Sequence, residues 1–246
     1  MWRTWFQQKK PVEAPPDRAW RWLPSHCAIC HSWPHAPLCD ACISRFAPPL
    51  HRCTRCALPL AKPAQQCGPC LKSPPPWDLC LTATAYKWPW NELIAEFKFH
   101  PKPGWAGSLA TLMWSATGTE DALAAADWVL PMPLSVQRLT ERGFNQALLL
   151  ARQLSPHKTD PYLLLRTRHT AAQHTLPRAQ RLSNLASAFA VDPLRAHDVR
   201  GKRVVLLDDV MTSGATFNAA AQALRQAGAA HICALSLART ESGQED

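Results

Sequence analysis

Apolar residues along this chain fall into short runs that alternate with segments of helical spacing. Val204-Val205-Leu206-Leu207 ends abruptly in Asp208-Asp209, and an alanine-rich helical pattern follows from Ala215 to Ala227. A short, wholly apolar run bounded by turn residues is the signature of a strand buried on both faces. Related runs occur at Leu79–Lys87, which alternates, at Trp128–Pro133, which prolines stop, at Leu163–Leu165 and at Ile232–Leu237. Helical spacing is found over Asn91–Phe99, with Leu93, Ile94 and Phe97 on one side, over Gly107–Thr117 and over Gln146–Leu154. Strands alternating with helices predict an α/β fold with a mainly parallel sheet.

Three stretches depart from this alternation. Arg138 to Gln146 is polar, basic and contains Gly143, so it predicts a loop at a strand's carboxyl end. A long polar insertion runs from Arg166 through Gln173, Arg181 and Asn184 towards Phe189; loops of that length in compact domains are usually functional lids or disordered. It is read as a flexible loop that closes over bound substrate. The N-terminal third is rich in proline and poor in apolar runs, and Ser73-Pro74-Pro75-Pro76 reads as a stiff linker at its end.

Eight of the ten cysteines lie in that third as four pairs of one spacing: Cys27/Cys30, Cys39/Cys42, Cys53/Cys56 and Cys67/Cys70. Two intervening residues let a tight turn point both thiolates at one ion, and four pairs make two tetrahedral sites. Zinc is favoured, with iron–sulfur ligation and a disulfide framework as alternatives; the latter needs an oxidising compartment. The pairs share ions either sequentially or interleaved. All-thiolate sites leave no position open, so such zincs are structural, and folding of residues 25–72 would be coupled to metal. His26, His31, His35 and His51 lie among the pairs without being needed as ligands. Cys80 and Cys233 sit in apolar stretches and read as small buried hydrophobes.

Charge sharpens the division. Formal net charge is +9. Residues 1–78 hold ten Lys/Arg against four Asp/Glu, and residues 79–246 hold seventeen against fourteen. The excess lies in the N-terminal third and suits a polyanion such as single-stranded nucleic acid. Residues 1–24 carry Trp2, Trp5, Trp20 and Trp22 around prolines, with no clear period, and are expected to be poorly ordered. No apolar stretch is long enough for a membrane span, and no secretory signal is visible, so a cytoplasmic protein is expected.

The strand end at Asp208-Asp209 carries the chemistry. Thr212-Ser213-Gly214-Ala215-Thr216 follows it and opens a helix. Such a loop aims backbone amides and hydroxyls at a phosphate, and the helix N-terminus adds its dipole. Carboxylates just before that cradle suit ribose hydroxyls, and Arg138 and Arg142 suit a pyrophosphate.

The segment Val204–Thr216 resembles the phosphoribosyl-pyrophosphate (PRPP) binding motif of type I phosphoribosyltransferases. Further segments occur in order: the cysteine pairs, Leu130-Pro131-Met132-Pro133, Arg142-Gly143-Phe144-Asn145-Gln146, Arg168-x-Thr170-x-x-Gln173, Arg181-x-x-Asn184 and the Asp208-Asp209 motif. Together, over about residues 25 to 240, they resemble the ComF/GntX family, including ComFC-type late-competence proteins. The resemblance implies a double zinc ribbon over 25–72 and a type I phosphoribosyltransferase-like domain over 78–240. It also implies PRPP with Mg²⁺ as ligands and a link to DNA uptake in natural transformation. Ser213 stands where a threonine is common, and the Trp-rich leader has no counterpart. Two functions follow from this reading: phosphoribosyl transfer to an unidentified acceptor, or non-catalytic binding of a nucleotide and single-stranded DNA. The second would use Arg45, Arg52 and Arg55 of the cysteine module.

Overall fold

The computed structural model describes residues 25–61, 64–99, 102–167 and 188–241. The tryptophan-rich leader and the middle of the long insertion, including Arg168, Thr170, Gln173, Arg181 and Asn184, lie outside the described residues.

Four strands form the central sheet: β1 (Leu79–Ala85), β2 (Trp128–Pro131), β5 (Arg203–Met211) and β6 (His231–Arg239). Their order is β1-β6-β5-β2, and every pairing is parallel. The expected parallel α/β architecture is therefore present. Val204 to Leu207 are each almost completely buried, as are Ile232 to Ala238 of β6. Helices cover both strands, which explains their uninterrupted apolar composition. β3 (Leu164–Arg166) and β4 (Phe189–Val191) form a separate antiparallel pair at the two ends of the long insertion, followed by a 3-10 turn at Pro193–Asp198. The ends of the insertion are thus packed structure, with Phe189 and Val191 in the core.

Among the helices, α3 (Trp90–Phe99) buries Trp90, Leu93, Ile94 and Phe97, the i, i+3, i+4, i+7 face that its sequence spells out. α4 (Trp105–Trp114) packs on α7 (Gln146–Leu154), and α5 (Thr119–Ala125) was hidden in a short alanine-rich stretch. α8 (Ala215–Gln226) joins β5 to β6 and packs against β5 and β4.

The expected loop at 138–146 is instead largely helix α6 (Val136–Arg142). Ser135 caps it by accepting the Arg138 amide, and Gly143, at φ 75°, closes it in the left-handed conformation. Its polarity misled the reading because α6 buries none of its residues. Its two apolar residues, Val136 and Leu139, are exposed, so no buried stripe betrays the helix.

The cysteine-rich segment adds α1 (Asp40–Phe46) and α2 (Gly68–Lys72), each starting beside a cysteine N-cap. It packs onto the sheet rather than standing apart. The Cys80 amide of β1 donates to the Thr54 carbonyl at 2.7 Å. Arg225 of α8 pairs with Asp78, and Asp78 also accepts the Ile232 amide at 2.8 Å. Among the described residues no helix is long and apolar enough to cross a membrane.

Candidate functional site

β5 runs four residues beyond the apolar run, so Asp208 and Asp209 belong to the strand and only Thr212 to Gly214 form the loop. Successive strand residues point to opposite faces. The adjacent carboxylates therefore sit in different surroundings. Asp209 is buried and forms an ion pair with Lys98 at the end of α3, Nζ to Oδ1 3.0 Å. Asp208 accepts the Asp209 amide at 2.9 Å. Its carboxyl is pushed up to about 7, first by burial and then by the neighbouring Asp209 charge. The Asp209 amide, Lys98 and Arg142 oppose that rise without cancelling it. The pair therefore holds one carboxylate neutralised by lysine and one that changes charge near neutral pH.

Beyond Met211 the chain turns through Gly214, at φ 79°, which is also the N-cap of α8. A side chain at Gly214 would be strained by that φ, whatever the space around it. Gly214 offers α8 no side-chain cap, and the Ala215 amide meets only the neighbouring Ser213 hydroxyl at 3.4 Å, so an anion can approach the positive end of the dipole without displacing an N-cap side chain. Thr212 and Ser213 are exposed, and Ala215 and Thr216 half-buried, at this same end of the sheet.

The parallel β2–β5 pairing brings α6 to the same end. Arg138 and Arg142 lie one helical turn apart, a spacing that puts them on one face. Arg142 donates to Gln146 Oε1 at 3.2 Å and lies 5.4 Å from the Phe99 ring centroid. Arg138 is exposed, and its charge acts on Arg166 at the end of β3, which also feels Asp208. Asn145 caps α7 by accepting the Leu148 amide and ties itself to β2 by donating to the Met132 carbonyl at 3.0 Å. The segment Arg142–Gln146 is thus fixed against the strand end, where the Arg142 charge acts on the Asp208 carboxyl. Sequence reasoning missed Lys98. Its signal was a lysine one residue after buried Phe97 and one turn after buried Ile94, on the packed side of α3.

The cysteines resolve into two clusters, Cys27/Cys30/Cys39/Cys42 and Cys53/Cys56/Cys67/Cys70. The pairing is sequential. In each cluster all sulfurs lie within 4.8 Å of one another. Cys30 and Cys39 are 3.7 Å apart, and Cys56 and Cys67 are 3.6 Å apart. Sulfurs about 2.3 Å from a tetrahedral zinc are separated by about 3.8 Å, whereas a disulfide requires about 2.05 Å. All ten cysteines are free thiols. Both clusters are compatible with zinc. Without a cation, the buried Cys42 and Cys70 resist ionisation, through burial and then their neighbouring cysteines. Cys80 and Cys233 are buried outside these clusters, and burial pushes the Cys233 thiol up to about 12. Neither suits a nucleophile.

Two of the three arginines expected to meet DNA are occupied. Arg52 donates to the Ala57 carbonyl at 2.9 Å. Arg55 donates to the carbonyls of Asp78 and Pro75 at 2.8 and 2.9 Å. Arg45 alone of the three is exposed, stacked 5.2 Å from the Phe46 ring centroid.

Parallel strands, a carboxylate pair at one strand's end and an uncapped loop–helix beyond it define a phosphoribosyltransferase-type domain behind a cysteine-rich module. Residues 140–246 match the family model of the phosphoribosyl transferase domain. The chain is 33% identical over 227 residues to DNA utilization protein YhgH of Escherichia coli strain K12, spanning 89% of this chain and 98% of that protein. It is 35% identical over 210 residues to competence protein F of Haemophilus influenzae, 82% and 90% of the two chains. With competence protein ComFC of Bacillus subtilis it shares 33% identity over 113 residues, 46% of this chain and 44% of that one. The protein belongs to this ComF family of competence proteins.

Proposed function

We propose that this protein binds PRPP, or a related ribose 5-phosphate ligand, together with Mg²⁺ at the carboxyl end of β5. The observation that carries the reading is the joined arrangement of Asp208-Asp209, the turn at Gly214 and the uncapped start of α8. In this reading Thr212 to Thr216 hold the 5′-phosphate through backbone amides and hydroxyls. Asp208 and Asp209 accept hydrogen bonds from the ribose hydroxyls. Arg138 and Arg142 meet the pyrophosphate, and Lys98 orients Asp209 through their ion pair.

Mg²⁺ is a hard cation that takes oxygen ligands, and the strand-end carboxylates with the ligand's own phosphates form an all-oxygen donor set that fits it. When bound, it would neutralise charge on the departing pyrophosphate. The proposed reaction is transfer of the phosphoribosyl group. The anomeric carbon's bond to pyrophosphate breaks, a bond to the acceptor forms, and the acceptor's proton leaves. The sugar passes through an oxocarbenium-like state, and the protein's contribution is positioning and charge. The acceptor is not defined by any residue on the site's rim. The relatives' names, competence and DNA utilization, support a place for this chemistry in handling DNA, which we place in the cytoplasm.

Titration calorimetry of the zinc-loaded chain with PRPP and Mg²⁺ tests the reading. Wild type is expected to bind. Asp208→Asn/Asp209→Asn is expected to bind at least about 100-fold more weakly, because two charge-assisted hydrogen bonds are lost. A folded wild type that gives no heat and no competition would overturn it. The second reading, a non-catalytic single-stranded DNA binder, draws on exposed Arg45, Trp33 and Trp88. It gains ground only in that outcome.

A further inference from the structure

The second cysteine cluster is bonded to the loop proposed to hold phosphate. Arg239, at the end of β6 and only 8% exposed, lies between the two. Its Nε donates to the Cys56 carbonyl at 3.0 Å. Its Nη1 reaches the Met211 carbonyl at 3.2 Å and the Thr212 carbonyl, where the loop begins. Trp77 makes a second connection. Its indole Nε1 donates to the Arg55 carbonyl, inside the Cys53/Cys56 turn, at 2.6 Å. The far edge of the same ring would lie 3.5 Å from a Cβ at Gly214, and it meets Phe217 of α8 edge-on at 6.3 Å.

The first cluster has no comparable attachment among the described residues. It touches the domain through apolar packing and one hydrogen bond, from Trp90 Nε1 to the Phe46 carbonyl at 2.8 Å, far in sequence from the loop. Both clusters suit zinc, yet only the Cys53–Cys70 turn shares a guanidinium and an indole with residues 211–217.

We propose that Arg239 and Trp77 are positioning residues that make the phosphate loop's conformation depend on metal in the second cluster and not in the first. The physical reason is the carbonyl geometry. The Cys53/Cys56 turn holds the Cys56 and Arg55 carbonyls in place only while four thiolates are drawn onto one ion. Released from the ion, the four sulfurs have nothing that draws them to one point, the turn relaxes, and the anchors for Arg239 and Trp77 go with it. Arginine suits the task because its rigid planar fork fixes the directions of its donors, Nε towards Cys56 and Nη1 towards Met211 and Thr212, whereas an ammonium gathers its rotatable donors on one atom. The loop's role in ligand binding rests on the function proposed above; its dependence on the cluster does not.

The test uses the full chain, loaded with zinc, and reads hydrogen–deuterium exchange over residues 211–217, zinc content and PRPP·Mg²⁺ affinity. Cys56→Ser/Cys67→Ser is expected to retain one zinc and to raise loop exchange by about tenfold or more, the worth of one charged hydrogen bond. Residues 204–207 should stay protected, which separates loosening of the loop from unfolding. Cys30→Ser/Cys39→Ser should leave loop exchange within about twofold of wild type, as expected for independent sites. Arg239→Lys should keep both zincs and still raise loop exchange, and PRPP affinity should fall in step with exchange across the set. Unchanged loop exchange in Arg239→Lys, or equal loosening from either cluster, would overturn the proposal. Failure of wild type to bind PRPP would overturn the function above while the exchange pattern still decides this coupling.

Discussion

The two cysteine clusters are each built from two pairs of one spacing and offer four thiols apiece, yet they differ in what they hold. The first is a local knot. Cys27, Cys39 and Cys42 form a small apolar cluster of their own with Ile29 and Phe46, and Cys30 is exposed. The second is part of the sheet's edge, bonded through Thr54, Arg55 and Cys56 to β1, to Trp77 and to Arg239. Equal ligand sets therefore do not imply equal roles. A metal knuckle acquires its consequence from the carbonyls that its turn displays and from what reaches for them. The same lesson applies to charge. Arg45 and Arg55 are both basic residues beside a knuckle, but Arg45 is solvated and Arg55 closes two half-buried carbonyls.

The largest expected effect lies outside both clusters and tests whether the site is energetically separate from them. Lys98→Met leaves Asp209 buried without its ion pair and should cost about 3–5 kcal/mol of unfolding free energy. Asp209→Asn in the same chain should restore most of it, measured by denaturant titration. Zinc content should not change; if it fell, the clusters and the carboxylates would be one cooperative unit and the contrast would dissolve.

Arg55→Met and Arg45→Met test the contrast directly. The first removes two charged hydrogen bonds to carbonyls and should cost about 1.5–3 kcal/mol or more. The second should stay within about 0.5 kcal/mol, as surface changes usually do. Equal costs would mean that the first cluster is as deeply tied in as the second.

A pH series separates the site from the clusters in another way. Burial and Asp209 raise the Asp208 carboxyl from its ordinary 3.8 to about 7. A raised carboxyl favours the folded state while protonated, so its contribution is fully present below about pH 4 and is lost as pH rises through about 7. The melting temperature should therefore drift down between about pH 4 and 7 and level off above that, and Asp208→Asn should flatten the drift. Ligand affinity should move the opposite way in wild type, because the ionised carboxylate is the stronger acceptor for ribose hydroxyls. A wild-type melting profile identical to that of Asp208→Asn would refute the assignment of this titration.

The smallest effect concerns DNA. If the module grips single-stranded DNA by charge, Arg45→Gln should lower the slope of log affinity against log salt by about 0.7, the value of one phosphate contact. Arg52 and Arg55 are unsuitable for this test, since their guanidinium groups already bond to the protein's own backbone.

The part of the site legible in the sequence was the part made of contiguous residues. Asp208-Asp209 and Thr212–Thr216 needed only a strand, a turn and a helix, all signalled locally by Val204–Leu207, Gly214 and the alanines. Arg138 and Arg142 are legible as a pair but not as part of a helix, because α6 buries none of its residues and so shows no sustained apolar period. Lys98 could not be assigned a partner from its own neighbourhood. Its carboxylate lies more than a hundred positions away, and only the parallel sheet brings the end of α3 to the end of β5.

By itself the sequence determined the alternation of strands and helices, the apolar core of β5 and β6, the four thiol pairs and the strand–loop–helix of the candidate phosphate site. These follow from periodicity and from short spacings, which act over a turn or two of chain. Tertiary structure alone decided that the pairs combine sequentially, that adjacent aspartates part into one paired and one raised carboxyl, and that Arg239 spans from Cys56 to Thr212. Each depends on burial and on the meeting of distant segments. The free energy of a buried charge or a shared carbonyl is set by what surrounds it in space, and neighbours in the chain do not record that.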